Sequence, residues 1–273
     1  MSKKSSQPFF PPPRLPKTGV ESHAHLDSRH FKDDLEEVLA RAYDAGVERI
    51  GQVFLHPDAW REGRGLFDAH PGVFFLLGIH PTEAHDYNDV VREDIKKAAA
   101  ADKRIRAIGE IGLDYYWKDC PPDVQKPVFA AQLALSRECG LPAVIHSRDA
   151  TDDTLKMLVD AGMRGYPVLW HCFGGDKELA LRIVDLGWHI SIPGPVTYPA
   201  NSALREAVAA VPVERLLVET DCPYLSPVPL RGKRNEPANL GYTIAAMAEA
   251  KGLSAAEMWT QCGNNAKLFF KLI

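Results

Sequence analysis

The chain has 273 residues, of which 45% are hydrophobic and 25% charged, an ordinary usage for a globular protein. Its formal net charge of -4 excludes a chain-wide basic field for nucleic acid, leaving room only for a local basic patch or for metals that neutralise phosphate. Five cysteines without a C-x-x-C pair argue against a disulfide framework; with no signal-peptide core and no run approaching about 18 apolar residues, a soluble cytoplasmic protein without a membrane span is expected.

Residues 1–18 hold Lys3 and Lys4 and are rich in proline from Pro8 to Pro16. This composition predicts a polyproline-type tail outside the core, suited at most to docking a protein partner. From Gly19 strands and helices alternate. Val20–Leu26 reads as a strand carrying His23-Ala24-His25. Asp33–Ala45 places Leu35, Val38, Leu39 and Ala42 on one helical face, and Gly46 caps it. Val47–Leu55 is an apolar strand, Asp58–Ala69 a helix, and Val73–Ile79 a strand ending at His80-Pro81. Asp89–Ala101 reads as a helix and Ile105–Ile111 as a strand containing Gly109-Glu110. Pro122–Glu138 is a long helix closed by Gly140, and Pro142–Ile145 a short strand ending at His146. Ala150–Ala161 is helical; Pro167–Trp170 is a strand ending at His171. Lys177–Asp185 and Ser202–Ala210 are helices around the strand Trp188–Ile192. Arg215–Val218 is the last strand, opening into Glu219-Thr220-Asp221-Cys222-Pro223, where Pro223 stops regular pairing. Asn239–Ala250 and Ala255–Leu268 are closing helices.

Strands alternating with helices imply a parallel sheet, and near-continuous apolar strands imply burial on both its faces. Eight such units predict an α/β chain: a (β/α)8 TIM barrel over residues 19–273, a single domain with an extra C-terminal helix. A doubly wound open sheet is the competing architecture, but no strand is followed by G-x-G-x-x-G.

The strand ends carry the chemistry. His23 and His25 end the first strand, Glu110 lies on the fourth, His146 and His171 end the fifth and sixth, and Asp221 follows the eighth. In a barrel these ends form one rim, where active sites sit. Residues i and i+2 of a strand face the same way, so both imidazoles of His23-Ala24-His25 can hold one ion. Any one of the six alone is an ordinary hydrogen-bonded polar residue, or, for Asp221, a turn cap. Together they read as a ligand set for zinc, manganese or a similar divalent ion. A charge where a buried strand opens needs such a partner.

Other rim residues bear on substrate. His80 ends the third strand and is expected to touch substrate rather than metal. Asp114-Tyr115-Tyr116-Trp117 offers flat faces for stacking, with an apolar cover over the mouth as the plainer alternative. Arg148, and the loop Arg231-Gly232-Lys233-Arg234-Asn235, suit a phosphate oxyanion, although alone that loop would pass for solvated charge. His30, His56, His70, His85 and His189 do not align with the rim, and Cys172 and Cys222 read as small apolar packers.

The segments HAHLD, GIHP, GEIGLDYY, VIHSRDA, HCFGG, LLVETDCPYL and PLRGKRNEP occur in that order. From Gly19 to Leu268 the chain thereby resembles the TatD family of metal-dependent deoxyribonucleases, within the amidohydrolase-like barrels. The resemblance implies two divalent ions (Zn, Mg, Mn or similar), one held by His23, His25 and Asp221, the other by His146 and His171. Glu110 would bridge them, in the place of the carboxylated lysine of some relatives. It implies 3′–5′ exonuclease or DNA-repair nuclease action on DNA, with RNA taken by some members. Asp221 and Glu110 would be the catalytic carboxylates, Asp221 orienting the attacking water or accepting its proton. His80, Tyr115, Arg148, Arg231 and Asn235 are the expected substrate contacts. The chain departs from the pattern at Gly174, where relatives often carry Ser or Thr, and at Pro193-Gly194-Pro195. Cleavage of a small ester, amide or phosphoester by the same site is the alternative activity, and an inert barrel recruited through its tail the alternative to an enzyme.

Overall fold

A computed structural model describes residues 12–272. Eight strands line up in chain order as one all-parallel sheet: β1 Gly19–Ala24, β2 Val47–Phe54, β3 Val73–Leu77, β4 Ile105–Asp114, β5 Ala143–Arg148, β6 Val168–Trp170, β7 His189–Ile192 and β8 Leu216–Val218. The sheet closes where β8 returns to β1. Asp221 N donates to His23 O at 3.0 Å, His25 N donates to Cys222 O at 2.9 Å, and Ser22 Oγ donates to Val218 O at 2.9 Å. The seam of the barrel therefore runs through three of the expected ligands.

Helices follow the strands: α1 Leu35–Asp44, α2 Pro57–Gly63, α3 Asp89–Ala101, α4 Pro122–Cys139, α5 Thr151–Asp160, α6 Lys177–Asp185, α7 Ser202–Ala210 and α8 Leu240–Lys251, with α9 Ala255–Phe269 as the extra closing helix. The expected helix Asp58–Ala69 is split, because Gly63 ends α2 and a 3-10 turn takes Arg64–Phe67. Glycine is a poor helix interior residue, costing about 1 kcal/mol relative to alanine.

Two apolar layers result. Outward residues of the strands, such as Ile50, Phe75, Ile108 and Ile145, pack under the helices. Inward residues Val20, Val53, Leu76, Val144, Leu169 and Leu217 fill the barrel, and Ala266, Phe269 and Phe270 of the C-terminal segment plug its lower end. With one end plugged by apolar side chains, polar inward residues collect at the other. That end is the C-terminal rim.

Part of the proline-rich segment is docked rather than free. Leu15 packs against the core, and Trp259 Nε1 on α9 donates to Pro16 O at 2.7 Å. Gly19 lies flat on the Trp259 ring, where a Cβ would meet a ring carbon at 1.8 Å. The expectation for Lys3, Lys4 and Pro8 lies outside the described residues. No helix among the described residues is long and apolar enough to cross a membrane.

Candidate metal centre

All six expected ligands converge at the rim. His23 Nε2 and His25 Nε2 face one another at 3.3 Å, as the i, i+2 spacing requires. Asp221 Oδ1 lies 3.4 Å from His25 Nε2 and 3.9 Å from His23 Nε2. Glu110 reaches in from β4 and divides its oxygens. Oε2 lies 3.2 Å from His23 Nε2 and 3.8 Å from His25 Nε2. Oε1 lies 2.6 Å from His146 Nδ1 and 2.8 Å from His171 Nε2. One buried carboxylate thus stands between two pairs of imidazoles.

The set fits divalent cations. A point equidistant from the His23, His25 and Asp221 donor atoms lies about 2.1 Å from each. Ligand distances for zinc are roughly 2.0–2.2 Å. His23, Glu110 and His171 form a second group of mutually close donors, and His80, Asp114 and His146 a third. The second and third groups cut across the expected set of Glu110, His146 and His171, since His146 offers a different nitrogen to each neighbour.

The electrostatics show why charge must gather here. Burial alone would raise Glu110, but the positive His171 and hydrogen bonds from His146, His171 and His23 hold it well below the usual carboxylate range. Burial opposes charge on His171 as well, yet Glu110 and Glu219 hold it well above the ordinary imidazole value. Asp221 is held low against burial by His25, and His25 is raised against burial by Asp221. His23 is lowered by burial and by His171, on which it stacks at 4.0 Å. Buried carboxylates demand compensating positive charge, from protons on imidazole or from cations.

Three acidic residues that sequence reasoning left out of the site support it. Asp114 Oδ2 lies 2.9 Å from His146 Nε2, and its Oδ1 accepts from Tyr116 N and Trp117 N. Glu219 Oε1 accepts from Cys172 N at 2.7 Å and lies 3.3 Å from His171 Nδ1, close enough for charge pairing but short of hydrogen-bond geometry. Glu21, two residues below His23, accepts from His23 N and Thr220 N, and burial pushes its carboxyl up to about 8. The available signal was a carboxylate an even number of residues from a ligand, on the same strand or, for Glu219 and Asp221, just past its end.

The expected substrate contacts divide. Arg148 stacks over the Tyr116 ring at 3.8 Å, and Arg231 over the Tyr198 ring at 4.5 Å. His80 Nε2 stands 3.6 Å from Glu110 Oε1, so it borders the centre itself. Two expectations are corrected. Tyr115 donates its hydroxyl to Asp153 Oδ2 at 2.7 Å and packs on the core, leaving Tyr116 and Trp117 as the exposed rings. Asn235 is fully buried, donating to Thr220 O and accepting from Asn239 Nδ2; it braces the loop that bears Asp221 rather than facing substrate. Two of the other histidines lie elsewhere: His70 pairs with Glu36, and His189 packs on Phe269.

Comparison with known proteins gives the family. The family model described as TatD related DNase matches residues 20–271. The chain belongs to that family. It is 38% identical over 252 residues to the uncharacterized metal-dependent hydrolase YabD of Bacillus subtilis, covering 92% of this chain and 98% of that one. It is 34% identical to the 3′-5′ ssDNA/RNA exonuclease TatD of Klebsiella pneumoniae, covering 90% and 95%. The crystal structure of the TatD homologue YJJV from Escherichia coli superposes with a TM-score of 0.87 at 29% identity, covering 93% and 98% of the two chains. This TatD-related chain thus matches its relatives over nearly their whole lengths, from β1 to α9.

Proposed function

We propose that this TatD-related protein hydrolyses phosphodiester bonds of DNA, as a 3′–5′ exonuclease or repair nuclease, with two divalent cations. The observation that carries the reading is Glu110, whose two oxygens face two separate pairs of histidines. His23, His25 and Asp221 would hold one cation, His146 and His171 the other, and Glu110 would belong to both. Cations bound there would supply Lewis acidity, lowering the pKa of a nucleophilic water and offsetting phosphate charge.

The chain's own groups do the rest. Asp221 is mostly buried but its carboxylate still reaches the mouth, beside His25, and is placed to accept the proton of an attacking water. Arg148 and Arg231, each fixed by an aromatic face, would bind the scissile and flanking phosphates. Tyr116 and Trp117 follow β4 and Tyr224 follows β8, and each is about half exposed. In an eight-stranded barrel those two strands are diametrically opposed. Unpaired bases entering from either lip would find an aromatic face, which supports a single strand as substrate, in keeping with the name of the Klebsiella relative.

The test is cleavage of end-labelled single-stranded DNA, beside RNA, lactone and amide substrates. Chelation should abolish DNA cleavage, and zinc or manganese should restore it. Cleavage of DNA after complete chelation, or turnover confined to the lactone or amide, would overturn the reading.

A further inference from the structure

The histidines of the centre differ in what stands behind them. His146 Nδ1 points at Glu110, and its far nitrogen, Nε2, meets Asp114 Oδ2 at 2.9 Å. His171 Nε2 points at Glu110, and its far nitrogen, Nδ1, lies 3.3 Å from Glu219 Oε1. Both backing carboxylates are buried and anchored. Asp114 Oδ1 holds two backbone N–H groups, and Glu219 holds Cys172 N and the Ser191 hydroxyl. The other pair is built differently. Among the described residues, the carboxylates within ion-pair distance of His23 and His25 are Glu110 and Asp221, and both meet Nε2. The far nitrogens of His23 and His171 are both buried without a hydrogen-bond partner, but among the described residues that of His171 has a carboxylate 3.3 Å away and that of His23 has none within ion-pair distance.

We infer that Asp114 and Glu219 are positioning residues that make the His146–His171 pair the tighter of two unequal cation sites. A carboxylate behind an imidazole fixes the tautomer, turns a lone pair toward the ion and raises ligand basicity. His146 then carries its proton on Nε2, toward Asp114, and keeps Nδ1 free. His171 carries its proton on Nδ1, toward Glu219, and keeps Nε2 free. His23 has no such partner and remains the weaker donor. The inference rests on the reading that these side chains hold divalent cations.

The two backing residues differ in a way that can be read out. In Asp114→Asn the backbone N–H groups of Tyr116 and Trp117 keep the side-chain carbonyl at Oδ1, so the amide NH2 faces His146 Nε2. An NH2 is a donor, and the ring must answer by moving its proton to Nδ1, into the cation's position. In Glu219→Gln the Cys172 N–H keeps the carbonyl at Oε1, which still faces His171 Nδ1 from 3.3 Å. Charge is lost there, but the tautomer is kept. Asp114→Asn should therefore weaken cation binding more than Glu219→Gln.

The experiment is zinc titration of the metal-stripped full chain against a chromophoric chelator, with nitrogen-15 spectra of the imidazoles. The wild type should show two classes of zinc site. Asp114→Asn should weaken the tighter class 10- to 100-fold and leave the other in place. Glu219→Gln should weaken the tighter class less, giving a milder variant that keeps every backbone contact. His25→Ala should remove only the weaker class. In the zinc-loaded wild type the His146 Nε2–H resonance should carry the downfield shift of a hydrogen bond to a carboxylate, and Asp114→Asn should abolish that shift, which a purely structural Asp114 would not do. The inference is overturned if neither variant changes zinc affinity, if both classes weaken equally, or if His25→Ala removes the tighter ion. Two zinc ions bound equally in all variants would sink the inference alone, whereas a wild type that binds no zinc would sink the functional reading with it.

Discussion

Gly112 on β4 pairs with His146 on β5 so closely that a Cβ at Gly112 would sit 1.9 Å from the His146 carbonyl oxygen. Gly112 also has φ of 150°, a conformation essentially confined to glycine. This contact belongs to the β4–β5 register that holds His146 beside Glu110. Gly112→Ala is expected to cost about 3 kcal/mol or more in stability, from backbone strain and displacement of β5. Urea unfolding measures it. In any folded remainder zinc stoichiometry should fall, since His146 moves with its carbonyl.

Stability should fall as the solution is acidified through a defined window. His189 is lowered to about 4, first by burial and then by Arg215, and its Nδ1 is buried with no hydrogen-bond partner. Between pH 6.5 and 4 the unfolded chain binds a proton at this residue that the folded chain refuses. Stability from this group is therefore present above 6.5 and is lost as pH falls toward 4, by roughly 1–3 kcal/mol. Thermal melts across that range should show a shallower slope in His189→Gln than in the wild type. An unchanged slope would refute the assignment.

The docked part of the N-terminal segment should be releasable. Trp259→Phe removes the hydrogen bond to Pro16 O while keeping an aromatic ring on Gly19. A loss of about 1 kcal/mol in global stability is expected. Limited trypsin digestion at Arg14 and Lys17 should also speed up, before the barrel itself is cut.

Trp117 is exposed and stands beside the Arg148 guanidinium, 5.9 Å from its ring centre. Trp117→Ala should weaken single-stranded DNA binding by about 1–3 kcal/mol, the scale of one base–aromatic stack. The effect should appear in KM on an oligonucleotide and be nearly absent with a small chromogenic phosphodiester. Equal loss on both substrates would place Trp117 in the chemistry instead.

The barrel was legible because its strands are apolar almost without interruption and alternate with helical stretches, several with one apolar face. The six inward-facing donors were legible because chain order maps directly onto the rim of a parallel barrel. What stayed hidden depends on pairing register. An apolar run that ends at Ile111 groups Asp114 with the aromatic residues, yet β4 runs three residues further; Gly112 lets it continue alongside β5 and turns Asp114 toward His146. Asn235 looked like a substrate contact because its neighbours are basic, while its burial comes from hydrogen bonds to Thr220 and Asn239. The anchoring of residues 12–18 needed the Trp259 indole, more than 240 positions away in the chain.

Anomalous diffraction from crystals soaked in zinc or manganese will show whether two cations share the Glu110 carboxylate. Two peaks should flank Glu110, one bordered by His23, His25 and Asp221 and the other by His146 and His171. A single peak away from Glu110, or none at full soaking strength, would contradict it.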